Sequence, residues 1–249
     1  MNIVWFKRDL RMLDHEPLSE ACAAGKILPL YIFEPELWKQ SDVSYRHFIN
    51  LQHYLKQLDK MFKGKGLKLV IKVGEALPVL KALQDKHNIS NIYSHYETWN
   101  KFSKDRDEEV RRWTAENSIN WMEYQQNGVV RNLKTRDGWS TLWHNYMRQK
   151  IREVPNKIYC ISESSDVLPS FQDLQLDYDG FKPNTNFCRI EPNVVLESFL
   201  NQRGENYQKE MPGPQLSENS CSRLSTHIAF GTISIRTIFQ RTQERAKKN

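Results

Sequence analysis

The sequence predicts an α/β fold, a doubly wound parallel sheet of five strands, followed by a long connecting segment and the start of a helical region. Three observations carry this. Over residues 1–130 short β-rich runs alternate with helical patterns, the arrangement of βαβ units and a parallel sheet. Residues 131–192 show little periodicity and are punctuated by Pro155, Pro169, Pro183 and Pro192, too long a stretch for an ordinary loop. Helical pattern then returns at 193–202 and again from 223 to the end.

The five predicted strands are 3–6, 28–33, 67–73, 91–95 and 120–125. Between the second and third, Phe48, Leu51, Leu55, Leu58 and Phe62 recur at spacings of three and four, after Ser44 as N-cap and before Gly64 as a stop. That stripe predicts a core-facing helix. A second helix is expected over 75–87, with Leu77, Leu80 and Leu83 inward, and a third, heavily charged one over 104–116, covering the sheet from outside. Asn127-Gly128 is a turn signal that closes this unit. The connecting segment carries one short periodic stretch near 141–147. In the last region Val194, Val195, Leu196, Phe199 and Leu200 form the apolar face of a helix that Gly204 stops, and the final helical segment is interrupted around Gly231.

Composition bounds the function. The 249 residues carry a net charge of +6 and are 39% hydrophobic, with seven Trp, ten Tyr and eleven Phe to bury. A mean hydropathy of −0.69 is polar for a globular chain, yet this aromatic content is foreign to disordered ones. Cys22, Cys160, Cys188 and Cys221 stand far apart with no CxxC pair, which indicates neither a disulfide framework nor a structural zinc site and suits a reducing cytoplasm. No apolar run approaches the roughly 20 residues that cross a bilayer, so the chain reads as cytoplasmic. Residues 131–157 hold seven Lys or Arg against two Asp or Glu; such a segment is either a solvated basic face or a contact for phosphate backbone.

Ligands of a doubly wound sheet bind beyond the carboxyl ends of its strands. Neither GxGxxG nor a Walker lysine loop is present, so a standard dinucleotide or P-loop site is not indicated. The most distinctive run is Val4-Trp5-Phe6-Lys7-Arg8-Asp9-Leu10-Arg11, followed by Asp14 and Pro17-Leu18. Here an apolar strand ends abruptly in charges at the mouth of the sheet, and Arg8, Asp9, Arg11 and Asp14 are expected to pair with one another and stabilise the loop. A second informative stretch is Ser220-Cys221-Ser222-Arg223-Leu224-Ser225, followed by Ala229-Phe230-Gly231-Thr232-Ile233-Ser234. Hydroxyls clustered before a helical pattern either cap that helix through Ser222 or, with the free backbone N–H groups, form an anion site.

These motifs resemble those of the DNA photolyase and cryptochrome flavoproteins. The opening run is similar to the family's N-terminal signature, Leu30-Tyr31-Ile32-Phe33 to its second strand, Arg46-His47-Phe48 to the start of its long helix, and Arg106-Asp107 to the segment after its fourth strand. Gly128 and Val129 stand where the family's first domain ends. The resemblance implies a Rossmann-like antenna domain over 1–130, an interdomain linker over 131–192 and, at 193–249, a truncated start of a helical FAD-binding domain. It implies FAD as cofactor, with its diphosphate held by the segment containing Cys221, Ser222, Arg223, Leu224 and Ser225. Ser222, Leu224 and Ser225 match the family's motif, whereas Cys221 replaces its threonine and brings only a backbone N–H. Tyr207 matches the family tyrosine that contacts the cofactor, although the arginine expected a few residues later is missing within Lys209-Glu210-Met211.

The implied activity is light-driven repair of cyclobutane pyrimidine dimers in UV-damaged DNA by electron transfer from reduced FAD. A second, antenna chromophore is implied for the α/β domain. The Asn-Glu pair that holds a folate in some members is displaced here, with Asn100 one position off and Lys101 in place of Glu. The residues that wall the flavin in the family follow the phosphate segment, so the chain is expected to be an incomplete, inactive fragment with no catalytic residue of its own, unless a second polypeptide completes the FAD domain. The other reading is a non-catalytic, photoreceptor-like module that binds a chromophore or a partner.

Overall fold

The apolar runs become a fully parallel sheet of five strands, β1 (Asn2–Phe6), β2 (Ile27–Phe33), β3 (Val70–Val73), β4 (Asn91–His95) and β5 (Asn120–Tyr124), in the order β3-β2-β1-β4-β5. The computed structural model describes residues 1–174, 188–213 and 215–247; the part of the predicted linker at 175–187, with Pro183, lies outside them. Side chains alternate across the sheet with the period of two that strands impose. Val4, Phe6, Tyr31 and Phe33 enter one hydrophobic layer, and Ile3, Trp5, Leu30 and Ile32 the other. The strand order reverses at β1, between β2 and β4. That is the topological switch point where such sheets open a crevice.

Each face is covered by helices. On the first lie α1 (Glu16–Ala24) and α2 (Tyr45–Lys63); on the second lie α3 (Ala76–His87) and α4 (Lys101–Glu116). Helix α2 buries the predicted stripe, Phe48, Leu51, Leu55, Leu58 and Phe62. Each such side chain contributes about 1.5–3 kcal/mol of burial. Ser44 is its N-cap residue, and its backbone N–H donates to His47 Nδ1 at 3.2 Å. Helix α4 starts three residues before the predicted 104, because Asn100 caps it by accepting from the Ser103 N–H at 3.0 Å. Besides covering the sheet it buries Arg106, Asp107, Val110 and Trp113. Helix α1 has no counterpart among the sequence expectations. Only Leu18 and Ala21 of its apolar positions are fully buried, too narrow a stripe to show as periodicity. Strand β3 begins at Val70 rather than 67, because Leu67 and Leu69 already belong to the layer beneath α2.

The connecting segment does more than span a gap. It forms α5 (Trp139–Met147), then runs along the sheet: the Ile27 N–H donates to the Tyr159 carbonyl at 2.8 Å and the Ile161 N–H to the Ile27 carbonyl at 2.9 Å. Further on, the Ile71 N–H donates to Ser165 Oγ, and the Asp166 N–H returns a bond to the Ile71 carbonyl. The edge strand β3 is thereby covered, which removes an open ladder of unpaired backbone groups.

Residues 188–247 hold α6 (Pro192–Asn201), short helical turns at Arg203–Asn206, Tyr207–Glu210, Ser217–Ser220 and Ser225–Ala229, and α7 (Ile235–Ala246). Their own core is small: Val195, Leu196, Leu224 and Ile233. Val194, expected on the apolar face of α6, is instead 57% exposed, because the helix turns Val195 and Leu196 into that core. What holds this region is polar and reaches the loop after β1. The Leu10 N–H donates to the Phe230 carbonyl, Arg8 Nε to the Ala229 carbonyl and Arg11 Nη1 to the Gly231 carbonyl, all at 2.9–3.0 Å. Arg236 of α7 closes the clasp on Asp14, at 2.7 and 3.0 Å, with both side chains buried. Gly231 has φ +64°, and a Cβ there would stand 2.3 Å from the Arg8 carbonyl oxygen. No larger residue permits that approach.

Candidate functional site

At the carboxyl ends of β1 and β2 the sheet opens into a cavity of about 150 Å³, walled by Trp5, Tyr31, Glu34, Trp38, Trp99 and Arg106. Its position follows from the fold. Glu34 is the first residue after β2, Lys7 and Arg8 directly follow β1, and Glu97 lies just beyond β4. Ala229 and Phe230, held by the clasp, close one side, so the cavity is built from both parts of the chain.

The cavity has a fixed charged wall. Arg106 Nη1 donates to Glu34 Oε2 at 2.7 Å and its Nε to Asp107 Oδ1 at 2.9 Å, while Lys7 Nζ donates to Asp107 Oδ2 at 3.2 Å. Both cations lie against the Trp5 ring, Lys7 Nζ 4.7 Å and the Arg106 guanidinium carbon 5.0 Å from its centroid. Burial pushes the Glu34 and Glu97 carboxyls above the usual carboxylate range, further than Arg106 and Lys7 pull them back. For Asp107 the balance reverses: burial opposes ionisation, but Lys7 and Arg106 hold its carboxyl below the ordinary value. Two side chains of this wall are left incomplete. Glu34 Oε1 and Trp38 Nε1 are buried and have no hydrogen-bond partner among the described residues. An unmade bond of that kind costs about 1–3 kcal/mol.

Behind the cavity lies a buried triad. Asp9 Oδ2 takes His15 Nε2 at 2.9 Å and His95 Nδ1 at 2.6 Å, and the Lys7 N–H donates to Asp9 Oδ1. Burial drives both imidazoles toward the neutral form, His95 down to about 3, and the two rings together hold Asp9 ionised well below its ordinary value. These three groups are close enough to share a metal ion. The proton pattern assigns them otherwise: His15 Nδ1 accepts from the Leu18 N–H, so its Nε2 carries the proton and donates to Asp9. The triad ties β1, α1 and β4 together at the switch point. The expected pairing of Arg8, Asp9, Arg11 and Asp14 with one another is met only where Arg11 donates to the Asp14 backbone carbonyl; the carboxylates pair instead with His15, His95 and Arg236, and Arg8 and Arg11 donate to carbonyls of the clasp, because those partners arrive from distant parts of the chain.

The residues expected to hold the FAD phosphates lie elsewhere, at the surface of the helical region. Cys221 follows the turn Ser217–Ser220, and Arg203 donates to the carbonyls of both Cys221 and Ser222, tying this turn to α6. Ser222 does not cap a helix: Leu224 occupies the N-cap position of the turn Ser225–Ala229, and Ser222 Oγ accepts from the Leu224 N–H at 3.4 Å. Arg223 has φ +59° and donates to the Glu218 carbonyl. Leu224 turns its side chain into the small core, so toward a ligand it offers backbone only, while Ser225 is exposed. Tyr207 is 41% exposed, its ring edge-on to Phe199. Hydroxyls and a guanidinium at this surface suit the phosphate end of a cofactor. Asn100, the displaced folate position, is engaged in capping α4 and donates to Asp42.

Sequence reasoning passed over Glu34, Trp38, His15 and His95. A signal existed for the first: an acidic residue directly after a continuous apolar strand of a parallel sheet stands at the crevice by construction.

A doubly wound sheet with a crevice at the carboxyl ends of its strands and a helical region clasped beside it is an α/β unit of the photolyase and cryptochrome type. The family model described as DNA photolyase matches residues 2–150, and the chain belongs to that family. It is 24% identical to Cryptochrome-2 of Arabidopsis thaliana, over 96% of this chain and 42% of that protein. It is 29% identical to the deoxyribodipyrimidine photo-lyase of Salmonella typhimurium, over 39% of this chain and 22% of that one. Among solved structures, a class III photolyase from Agrobacterium tumefaciens superposes with a TM-score of 0.75 at 19% identity, covering 99% of this chain and 53% of that one. A photolyase from Sulfolobus tokodaii, described with two FAD molecules and a novel light-harvesting cofactor, superposes at 0.71 and 23% identity, covering 98% and 55%. The chain thus spans about half the length of these structures. Among the described residues no helix is long and apolar enough to cross a membrane.

Proposed function

We propose that this chain is the chromophore-holding part of a light-responsive flavoprotein of the photolyase and cryptochrome family. The observation that carries the reading is the cavity at the carboxyl ends of β1 and β2, aromatic on its walls and bounded on one side by Ala229 and Phe230. In this reading the cavity holds an antenna chromophore. Tyr207, Cys221, Ser222, Arg223, Leu224 and Ser225 contribute the phosphate side of an FAD site in the first part of a helical domain that follows a linker over 131–192. FAD supplies the photochemistry when bound. The protein's task is to orient the cofactor and exclude water, and the exposed Tyr207 and Ser225 provide no walls for that. Residues 1–249 alone are therefore expected to retain little FAD and to leave pyrimidine dimers in UV-damaged DNA unrepaired, until further chain or a second polypeptide completes the flavin site.

The test uses the full 249-residue chain, purified and scanned for absorbance above about 350 nm, where flavin- and folate-like cofactors absorb, then supplied with FAD and irradiated with dimer-containing DNA. The reading expects a bound chromophore in the cavity, weak FAD retention and no repair. Stoichiometric FAD with light-dependent repair would overturn the inactive part of it. The same crevice also suits a photoreceptor-like module without lesion chemistry, a reading favoured by the complete cavity beside an exposed phosphate segment.

A further inference from the structure

We infer that the exposed face of helix α5, with the chain on either side of it, binds a single-stranded polynucleotide, its cations taking the phosphates and Trp139 giving a base a ring to stack on. The surface lies apart from the crevice and from residues 221–225, and the inference does not depend on what either of those holds.

The positive charge that the sequence gathers in 131–157 is only partly used within the fold. Arg131 pairs with Glu123, and Arg152 with Glu16 and Glu20. Lys134, Arg136, Arg148 and Lys150, in contrast, are exposed and have no ion pair or side-chain hydrogen bond among the described residues. Surface charges of opposite sign are ordinarily interspersed; here Asp137 is the one acid from 132 to 152. Lys134 and Arg136 precede α5, and Arg148 and Lys150 follow it. Two cationic ends therefore flank a helix of nine residues, about 13 Å long.

Between these ends the exposed side chains are Ser140, Thr141 and Asn145, which can donate to phosphate or sugar, and the apolar Trp139 and Leu142, 38% and 44% exposed. Trp139 is fixed in place. Its Nε1 donates to the Gly128 carbonyl at 3.0 Å, and its ring centroid lies 6.3 Å from that of Trp143. Trp143 packs edge-on against Phe239 of α7 and so closely on Gly128 that a Cβ there would stand 2.3 Å from its ring. The helix itself is tied to the end of β5 by the Tyr146 hydroxyl, which donates to the Gln125 carbonyl at 2.9 Å. A rigid, exposed indole among unpaired cations is the arrangement with which single strands are held, by stacking and by backbone charge together. A duplex keeps its base faces covered and would leave Trp139 and Leu142 bare. An anionic membrane would meet the cations but needs a broad apolar face, and Ser140, Thr141 and Asn145 interrupt this one.

The test follows the fluorescence anisotropy of labelled oligothymidylate and oligouridylate of about 16 nucleotides, free of photolesions, titrated in the dark with the full chain. Saturable binding of at least one is expected, tighter than that of a duplex of equal length, and the tighter of the two assigns the sugar. Four phosphate contacts give a slope of log affinity against log salt of about −2.8. The combined variant Lys134→Gln, Arg136→Gln, Arg148→Gln, Lys150→Gln should flatten that slope toward zero and weaken binding at low salt at least about tenfold, with Tm unchanged because these side chains have no partner to lose. Trp139→Ala should weaken binding about fivefold or more, and Trp139→Phe, which gives up the Gly128 bond but keeps a ring, much less. Binding that survives the combined variant with its slope intact overturns the inference, as does binding no tighter for single strands than for duplex, or attachment to phosphatidylserine vesicles in place of the oligonucleotides. Failure of both oligonucleotides to bind at low salt overturns it too and leaves the reading of the crevice untouched.

Discussion

The α/β unit and the helical region after residue 188 are held in opposite ways. The first has two full hydrophobic layers on either face of its sheet, with Trp5, Phe6, Leu30 and Phe33 wholly buried. The second has a small core of its own, Val195, Leu196, Leu224 and Ile233, and is docked by hydrogen bonds and one buried ion pair to the loop after β1, with Phe230 and His227 packed against Tyr54. The two candidate ligand regions divide along the same line. The crevice is a partly open cavity walled by aromatic and charged side chains, whereas residues 221–225 make their hydrogen bonds locally and only Ser225 among them is exposed. A site that lies on a self-sufficient core is ready for a ligand; one on a borrowed scaffold is ready only when something else completes it. Ala229 and Phe230 link the two, since the clasp that docks the helices also closes the crevice.

The sharpest way to break this contrast is to cut the clasp. Arg236→Ala leaves Asp14 buried without its partner, a loss of about 3–5 kcal/mol. The helical region should then become protease-sensitive while the α/β unit survives as a resistant core, read by limited proteolysis and urea unfolding. The double variant Asp14→Leu, Arg236→Met should lose less than the two single variants together. Gly231→Ala comes next, at about 2–4 kcal/mol, from the left-handed backbone and the collision with the Arg8 carbonyl. It should loosen the same region without weakening the sheet.

The α/β unit has its own weak point, the triad. His15 and His95 have folded pKa values below the unfolded value near 6.5, so below that pH the unfolded chain binds protons that the native state refuses. Their contribution is fully present above about pH 6.5 and is lost as pH falls, by about 2 kcal/mol for one such histidine at pH 5. Asp9, with its pKa lowered, acts in the same direction at still lower pH. Tm should be level from pH 7 to 8.5 and fall from 6.5 to 5, and His95→Asn should flatten that fall. The smallest effect is expected at the crevice itself. Trp38→Phe removes an unmet donor, which favours the variant by about 1–3 kcal/mol, but also empties part of the space the buried indole fills against Phe33 and Phe48, so without ligand the two effects should largely offset.

Much of the fold was legible in the sequence because parallel strands buried on both faces read as continuous apolar runs, as in Leu30-Tyr31-Ile32-Phe33, and because helix α2 repeats its stripe over five positions. Helix α1 was not, since its buried face is only Pro17, Leu18 and Ala21. The loop network after β1 was legible in its members but not in its partners: His15, His95 and Arg236 come from 6 to 222 residues away, and no local pattern records that meeting. Glu34 was legible by position, directly after the apolar strand β2, but its unmet oxygen and the unmet donor of Trp38 were not, because an unmet hydrogen bond exists only once the surrounding chain has folded.

The central claim is that the ligand-holding site is the crevice at the switch point, closed by the clasped helices. Titrating the full chain and its Gly231→Ala variant with riboflavin as a flavin-like probe, and following tryptophan fluorescence, tests it most directly. Saturable 1:1 quenching in the parent chain and a clear loss of affinity in the variant is the predicted result. Binding that ignores Gly231→Ala, in a variant shown by proteolysis to have released its helices, would contradict it.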